Sequence, residues 1–239
     1  RYAEAVTFKS SGTDRIALIY AEGNIVDGPG DQGVIGSEDY MKLIRKARLD
    51  KNIKAIVFRI NSGGGSVMAS ENIWRELTMA RKDKPVVVSF GDVSASGGYY
   101  IASAADSIFA SPVTITGSIG VFGIIPNMEG FFNNKLGITF DGVKTAPHAN
   151  MGAIYKPLTE FEQRTVQTEI NRIYQHFMQR VADGRNMNVN AVDSIAQGRV
   201  WSGTKAKDIG LIDRFGGIQD AIDCAAGMAK LSGYRLREY

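Results

Sequence analysis

The chain has 239 residues, of which 44% are hydrophobic and 22% charged. These values indicate one or two globular domains and exclude disordered and fibrous proteins. The net charge of +3 comes from 28 basic and 25 acidic side chains, and this small excess gives no indication of nucleic-acid binding. One cysteine, Cys224, and two histidines, His148 and His176, exclude an internal disulfide and a cysteine-rich metal site. We therefore expect no metal and no other cofactor.

The sequence contains no apolar run of the roughly 18 residues that a membrane helix needs. Its first residue is Arg1 rather than methionine, and no signal-peptide pattern follows. We expect the chain to be a fragment or a processed product.

The first half alternates short apolar runs with amphipathic ones. Predicted strands are Arg15–Ala21, Lys54–Ile60, Pro85–Phe90 and Ser107–Ser111. Predicted helices are Ser37–Leu49, Ala69–Lys82 and a small-residue helix that ends at Ala105. This order predicts an α/β fold with right-handed βα crossovers and a mostly parallel sheet.

The second half is richer in helices. Its predicted helices are Asn127–Leu136, Leu158–Asp183, Ala191–Ala196, Thr204–Asp208 and Ile218–Leu231. One strand is predicted over Ile138–Lys144. Since no linker or repeat is evident, we expect a single domain over residues 1–239, with residues 158–231 as a helical C-terminal extension.

Two glycine-rich junctions, Ser62–Gly65 and Ser94–Gly98, each follow a predicted strand. Ligands gather at the carboxyl ends of parallel strands, so both junctions should lie at one edge of the sheet. Their backbone N–H groups could stabilise a negatively charged oxygen, and the phosphate-loop and dinucleotide patterns are absent. Ser96 could be an exposed nucleophile at a sharp strand-to-helix turn. A tight turn and a helix N-cap are the plain alternatives.

A serine nucleophile needs a base. His148, in the loop before Asn150, could reach the active edge, whereas His176 fits the surface of a long helix. Lys144 and Lys156 flank the same loop and could serve if burial lowered their pKa. A solvated position is the alternative for each of these side chains.

Four ordered motifs resemble those of a known peptidase family. They are Asn61–Val67 (Asn-Ser-Gly-Gly-Gly-Ser-Val), Ser94–Ala102 (Ser-Ala-Ser-Gly-Gly-Tyr-Tyr-Ile-Ala), Thr116–Val121 (Thr-Gly-Ser-Ile-Gly-Val) and Gly198–Gly203 (Gly-Arg-Val-Trp-Ser-Gly). Together they resemble bacterial signal peptide peptidase A, a family of serine peptidases with the Clp protease/crotonase fold. The similarity covers roughly Ile16 to Leu231.

The resemblance implies a Ser/Lys dyad without a metal. Carried over position by position, Ser96 is the nucleophile, and Gly64 and Gly97 supply the oxyanion N–H groups. Ser118 orients the lysine amine. Two N–H donors from separate loops can bracket a developing oxyanion, which agrees with these roles.

The resemblance also implies a membrane-associated homo-oligomer on the extracytoplasmic side of the bacterial inner membrane. Its expected substrates are residual signal peptides and other extended, apolar, small-residue-rich peptides. Backbone pairing along the segment from Gly63 to Val67, with Gly63, Gly65 and Ser66 as binding residues, would hold them.

The lysine is where this sequence departs from the family. In short members it lies in the loop where this chain has His148 and Ala149, and Lys144 matches a different lysine. Long members carry two tandem copies of the domain, with the serine in the C-terminal copy and the lysine in the N-terminal one. This chain resembles the C-terminal copy, so the lysine is expected from an N-terminal repeat or a neighbouring protomer. Gly63 replaces the family's proline, which should loosen that loop.

Two other functions remain open at this point. One is an acyl-CoA enzyme of the crotonase type, which Ser96 in its present context fits poorly. The other is a non-catalytic half-domain that binds peptides or assembles with a partner, which the missing lysine favours for the isolated chain.

Overall fold

A computed structural model describes residues 13–239. Its strands are β1 (Arg15–Glu22), β2 (Asn24–Val26), β3 (Val34–Gly36), β4 (Ile53–Ser62), β5 (Val86–Ala95), β6 (Ser107–Ala110), β7 (Ile115–Gly117), β8 (Val200–Ser202), β9 (Arg214–Phe215) and β10 (Arg235–Glu238). Its helices are α1 (Ser37–Leu49), α2 (Val67–Asp83), α3 (Gly97–Ala102), α4 (Glu129–Phe131), α5 (Glu160–Arg185), α6 (Val189–Ile195), α7 (Gly203–Asp208) and α8 (Ile218–Met228). A π-helical turn, Phe132–Leu136, follows α4.

The main sheet has the strand order β10-β1-β4-β5-β6-β9. Every pair along this path is parallel, while β7 lies parallel to the end of β5 and pairs antiparallel with β8. Parallel strands with both faces covered need nearly continuous apolar runs, and β4 and β5 supply them. The predicted α/β class with a mostly parallel sheet is confirmed.

Helices cover both faces of this sheet. The alanine-rich α8 packs on one face, in a buried cluster of Ile16, Leu18, Ala55, Val57, Val87, Phe109, Ala221, Ile222, Ala225 and Ala226. On the other face, the ring of Tyr40 in α1 packs edge to face on the ring of Phe58, with 6.1 Å between the ring centroids. Tyr99 of α3 meets Phe90 of β5 in the same way at 6.3 Å. The core therefore fixes α3, the helix that begins directly after Ser96.

The chain divides into two compact units. The first contains residues up to Gly120 together with Phe177–Tyr239, and the second is Val121–His176. The single domain with a helical extension stays a prediction. Over residues 13–239, none of the helices is both long and apolar enough to cross a lipid bilayer.

The second unit has little regular structure before α5. The strand predicted over Ile138–Lys144 is wrong, because residues 121–176 contain no strand that could pair with it. Its apolar side chains make ring contacts instead. Phe140 lies 5.0 Å from Phe132 and stacks on Tyr155 at 4.7 Å. An alternating pattern cannot form a strand without a neighbouring ladder of hydrogen bonds.

Candidate active site

Three strands of the first unit bring the predicted site residues to one edge of the sheet. Ser62 at the end of β4 pairs in register with Ser94, and Ala95 at the end of β5 pairs with Gly117 of β7. Ser96 follows Ala95 and Ser118 follows Gly117, so the two serines come directly after the two members of this last pair. The convergence predicted for the two glycine-rich junctions is therefore observed, and Ser118 joins them.

Ser96 occupies the N-cap position of α3, but its side chain makes no capping hydrogen bond. Its φ of 52° lies in the left-handed region, which costs a non-glycine residue about 1–3 kcal/mol and persists only where the surrounding structure enforces it. Two backbone bonds enforce it here. The Ser96 N–H donates to the Gly117 carbonyl (2.9 Å), and the Ser96 carbonyl accepts from the Tyr100 N–H (2.8 Å). The hydroxyl is half-buried and has no hydrogen-bond partner within residues 13–239.

Gly64 lies against the start of α3. A Cβ added at Gly64 would lie 2.7 Å from the Gly97 amide nitrogen and 2.9 Å from the Ser96 Cβ, and the φ of Gly64 is +106°. A Cβ at Gly97 would lie 2.6 Å from Ser70 Oγ. Only glycine fits both positions. The Gly97 N–H, in the first turn of α3, has no acceptor in the described part of the chain and is free to bind an anion.

Ser118 has the same unusual backbone as Ser96, with a φ of 48°. Its N–H donates to the Arg199 carbonyl at 2.7 Å, and the Gly198 N–H donates to the Ile119 carbonyl at 2.9 Å. The last two sequence motifs therefore pack together and hold Ser118 beside the end of β5. Its hydroxyl contacts no amine in the part of the chain that the structure describes.

The predicted substrate-binding segment is partly used by the fold. Ile25 of β2 pairs with it, since the Ile25 N–H donates to Gly64 O (3.0 Å) and the Ser66 N–H donates to Ile25 O (2.8 Å). The Ser66 hydroxyl donates to Asp27 Oδ2 (2.7 Å) and caps α2. The N–H of Gly65 takes part in neither bond. Peptide pairing at this segment stays a prediction, and the edge that faces Ile25 is already used by the fold.

A polar network holds α3 in place. The Tyr100 hydroxyl donates to the Glu71 carboxylate, and Arg180 Nη2 lies 2.6 Å from Glu71 Oε1. The Arg180 guanidinium also covers the Trp74 ring at 4.1 Å, and Phe177 packs on Tyr100 at 4.7 Å. Burial raises the pKa of Tyr100, so its hydroxyl stays protonated as the donor. Sequence reasoning missed this network, because its members are distant along the chain.

Two of the residues considered as the catalytic base, His148 and Lys156, contact a carboxylate of the second unit. In the second unit, Lys156 Nζ is 3.1 Å from Glu162 Oε1 and His148 Nδ1 is 3.6 Å from the same atom. The Thr159 backbone N–H and the Lys156 ammonium lower the pKa of Glu162 to about 2. Lys156 is therefore paired with a carboxylate of the second unit and not with either serine.

The other two possible bases, and the position that matches the family's lysine, are exposed to solvent. Lys144, Ala149 and His176 are exposed. Within the first unit, no lysine or histidine is hydrogen-bonded to Ser96 or Ser118 in the described residues. The described site therefore contains a hydroxyl, a second serine and glycine amides, but no amine bonded to either serine.

A hydroxyl held on a strained strand-to-helix turn beside glycine amides is the type of site found in α/β hydrolytic enzymes. A family model described as "Peptidase family S49" matches residues 78–232. The chain is 46% identical to "Protease 4" of Salmonella typhi over 225 residues, which are 94% of this chain and 36% of that protein. It is 42% identical to "Protease 4" of Haemophilus influenzae, covering 89% of this chain and 34% of that protein. It is 37% identical to "Serine protease SPPA, chloroplastic" of Arabidopsis thaliana, covering 93% of this chain and 33% of that protein.

The chain belongs to peptidase family S49. The family resemblance found in the sequence motifs is confirmed, and with it the Clp/crotonase type of fold. The chain spans about a third of the length of these three relatives.

Proposed function

We propose that this chain is the serine-bearing half of a peptidase that hydrolyses peptides through an acyl-enzyme. Ser96 attacks the substrate carbonyl, and Gly97 and Gly64 provide N–H donors to the tetrahedral oxyanion. The observation that carries the proposal is the unpartnered Ser96 hydroxyl, held at a φ of 52° beside both glycines. A serine serving as a simple cap has no need of this strained backbone, because capping serines adopt an extended conformation.

The base in this proposal is a lysine from outside the chain. The lack of an amine bonded to Ser96 or Ser118 within residues 13–239 supports an external donor. The relatives that extend well beyond the matched region support a source in an N-terminal repeat, and a neighbouring protomer is the other source. In this proposal Ser118, which follows Gly117 in the β5–β7 pair next to Ser96, holds the incoming lysine amine by a hydrogen bond.

The proposed substrates are signal peptides and other extended apolar peptides at the extracytoplasmic face of the inner membrane. Support comes from the family motifs in the sequence and from a relative in Enterococcus faecium named "Putative signal peptide peptidase SppA", which is 33% identical over 97% of this chain. The second unit also has exposed apolar side chains suited to a homo-oligomer. They are Phe122, Ile124, Ile125, Met128, Phe131, Leu136, Ile138, Phe140, Val143, Met151, Ile154 and Phe161.

Hydrolysis of an apolar reporter peptide tests the proposal. The chain alone should be nearly inactive, and adding the lysine-bearing half should restore hydrolysis. Ser96→Ala should abolish the restored activity and the labelling of the protein by a fluorophosphonate. Ser94→Ala is the matched control, because Ser94 is fully buried two residues earlier and its hydroxyl makes no hydrogen bond.

Three outcomes would contradict the proposal. Equal loss of activity in the Ser94 and Ser96 variants would show that Ser96 has no special role. Full activity of the chain alone, lost in Lys144→Ala, would place the base within the chain. Peptide binding without hydrolysis in any combination would instead favour the non-catalytic half-domain.

A further inference from the structure

The two N–H groups proposed to bind the oxyanion, those of Gly64 and Gly97, differ in whether they are already hydrogen-bonded. The Gly97 N–H has no acceptor in the described residues, whereas the Gly64 N–H donates to Ser62 Oγ at 3.1 Å. Ser62 is only 2% exposed. A Cβ at Gly98 would lie 3.4 Å from the Ser62 Cβ and 2.8 Å from its carbonyl oxygen. The Ser62 side chain therefore lies beneath α3, and the Gly64 N–H points into the protein.

The peptide that carries this N–H has a glycine on each side. It joins Gly63 to Gly64, so neither neighbouring residue has a Cβ to hinder it. A Cβ at Gly63 would meet nothing within 4 Å, so that side of the peptide is open. Gly64 already has a φ of +106°, which glycine adopts without strain. Rotation about the two bonds that flank this peptide would turn the N–H outward.

We propose that Ser62 is a positioning residue that keeps the Gly64 N–H turned inward in the free protein. The developing oxyanion then draws this N–H away from the Ser62 hydroxyl and completes the two-donor site. An anionic acceptor makes a stronger hydrogen bond than a neutral hydroxyl, which gives the exchange its direction. This inference rests on the proposed function, since it concerns the same oxyanion site.

Removing the Ser62 hydroxyl should favour the outward state. A neutral hydrogen bond contributes modestly, so Ser62→Ala should raise the reactivity of Ser96 about 2–10-fold. Ser94→Ala is the matched control. Ser94 pairs in register with Ser62 and is equally buried, but its hydroxyl bonds to nothing in the described residues.

Amide hydrogen exchange of Gly64, measured by NMR on the glycine-labelled chain, tests the hydrogen bond directly. We expect the Gly64 amide to be protected in the unchanged protein and to exchange about 2–10-fold faster in Ser62→Ala. Ser94→Ala should leave it unchanged. The second measurement is the rate at which a fluorophosphonate labels Ser96 in the preparation that hydrolyses the reporter peptide. This rate should rise in Ser62→Ala alone, and a merely structural role of Ser62 would not raise it.

Two results would overturn the inference. One is a Gly64 amide whose exchange does not change in Ser62→Ala. The other is slower labelling of Ser96 in that variant, which would mean that Ser62 supports the active orientation. A failure of the proposed function has a different signature. In that case Gly64 exchange responds as expected, but Ser96 is not labelled in any of the three proteins.

Discussion

The first and second units differ in how their residues are used. In the first unit, the strands are buried on both faces, and the fully buried residues include Val57, Val87 and Tyr99. In the second unit, large apolar side chains lie at the surface, with Phe122 84% exposed and Ile124 83% exposed. The first unit buries most of its apolar residues within itself, whereas most of the large apolar side chains of the second lie at its surface.

The difference in packing explains why the two serines with positive φ, Ser96 and Ser118, lie in the first unit. Left-handed serines such as Ser96 and Ser118 persist only where the surrounding structure determines their conformation. The parallel ladder of β4, β5 and β7 does this in the first unit. Exposed apolar surface of the kind seen in the second unit is typical of protein–protein contacts. The comparison agrees with our proposal, in which the chemistry belongs to the first unit and self-association to the second.

The largest expected effect comes from crowding the two glycine junctions. In Gly64→Ala, the new Cβ would lie 2.7 Å from the Gly97 nitrogen, at a backbone φ of +106°. We expect the rate constant kcat/KM for the reporter peptide to fall about 10²–10³-fold, the usual effect of losing one oxyanion donor. Circular dichroism should show that the variant remains folded.

Gly28→Ala is the control for this variant. Gly28 also has a positive φ, +78°, but a Cβ there meets nothing within 4 Å. It therefore imposes backbone strain without crowding the site. An equal loss of activity in both alanine variants would mean that strain alone, and not contact with Ser96 and Gly97, accounts for the effect.

A partly buried ion pair between Asp213 and Arg185 stabilises the well-packed first unit. Asp213 accepts two hydrogen bonds from Arg185 (2.9 and 2.6 Å) and one from the Ile108 N–H (2.7 Å). Asp213→Ala leaves the Arg185 guanidinium, whose side chain is 7% exposed, without its carboxylate. Because Asp213 itself is 33% exposed, the free energy of unfolding should fall by about 2 kcal/mol, less than for a fully buried pair. Urea unfolding measures this change.

Glu169→Ala is the matched control for Asp213→Ala. It removes the exposed partner of Arg172, and its cost should be below about 1 kcal/mol. Similar losses in the two variants would show that burial does not set the strength of these pairs.

Much of the first unit could be predicted from its sequence. Runs rich in Val and Ile between polar turns gave strands close to β1, β4 and β5. Since parallel strands end at one edge, the meeting of the two glycine junctions followed as well. The bond from Gly64 to Ser62 could not be predicted, because a glycine backbone has no single preferred direction. The pairing of Ile25 with Gly65 was missed too, since β2 has only three residues.

The second unit was harder to predict for a physical reason. The alternating apolar residues of Ile138–Lys144 fit a strand, but a strand exists only through its neighbours, which a local pattern does not reveal. The long helix α5 could be predicted, because its hydrogen bonds are all local. Local patterns therefore succeed where an element satisfies its own backbone or lies in a sheet of similar runs.

A substitution in the exposed apolar surface of the second unit tests whether that surface mediates self-association. Phe122→Asp should weaken self-association of the protein at least about tenfold, if Phe122 is buried between copies. Sedimentation velocity over a range of concentrations measures this. Val113→Asp is the control, since Val113 is 83% exposed and belongs to the first unit. Equal weakening by both substitutions would contradict the assignment of assembly to the second unit.

The smallest expected effect concerns the buried carboxylate of the second unit. Glu162 is 1% exposed, and its pKa of about 2 lies below the ordinary value of 4.5 because the Thr159 N–H and Lys156 stabilise its charge. A carboxylate with a lowered pKa stabilises the fold fully above pH 4.5 and loses this contribution as the pH falls towards 2. Glu162→Gln should therefore be less stable than the unchanged protein at pH 7, and the difference should shrink below pH 4.5.

The measurement is the urea midpoint of helix loss, followed by circular dichroism between pH 7 and pH 3. Glu160→Gln is the matched control. Glu160 lies in the same first turn of α5, but its side chain is 92% exposed, so its removal should shift the midpoint little at any pH. If both glutamine variants differ from the unchanged protein by the same amount throughout, Glu162 does not stabilise the second unit through its charge. The start of α5 would then depend on neutral capping bonds, and its stability would not respond to acid.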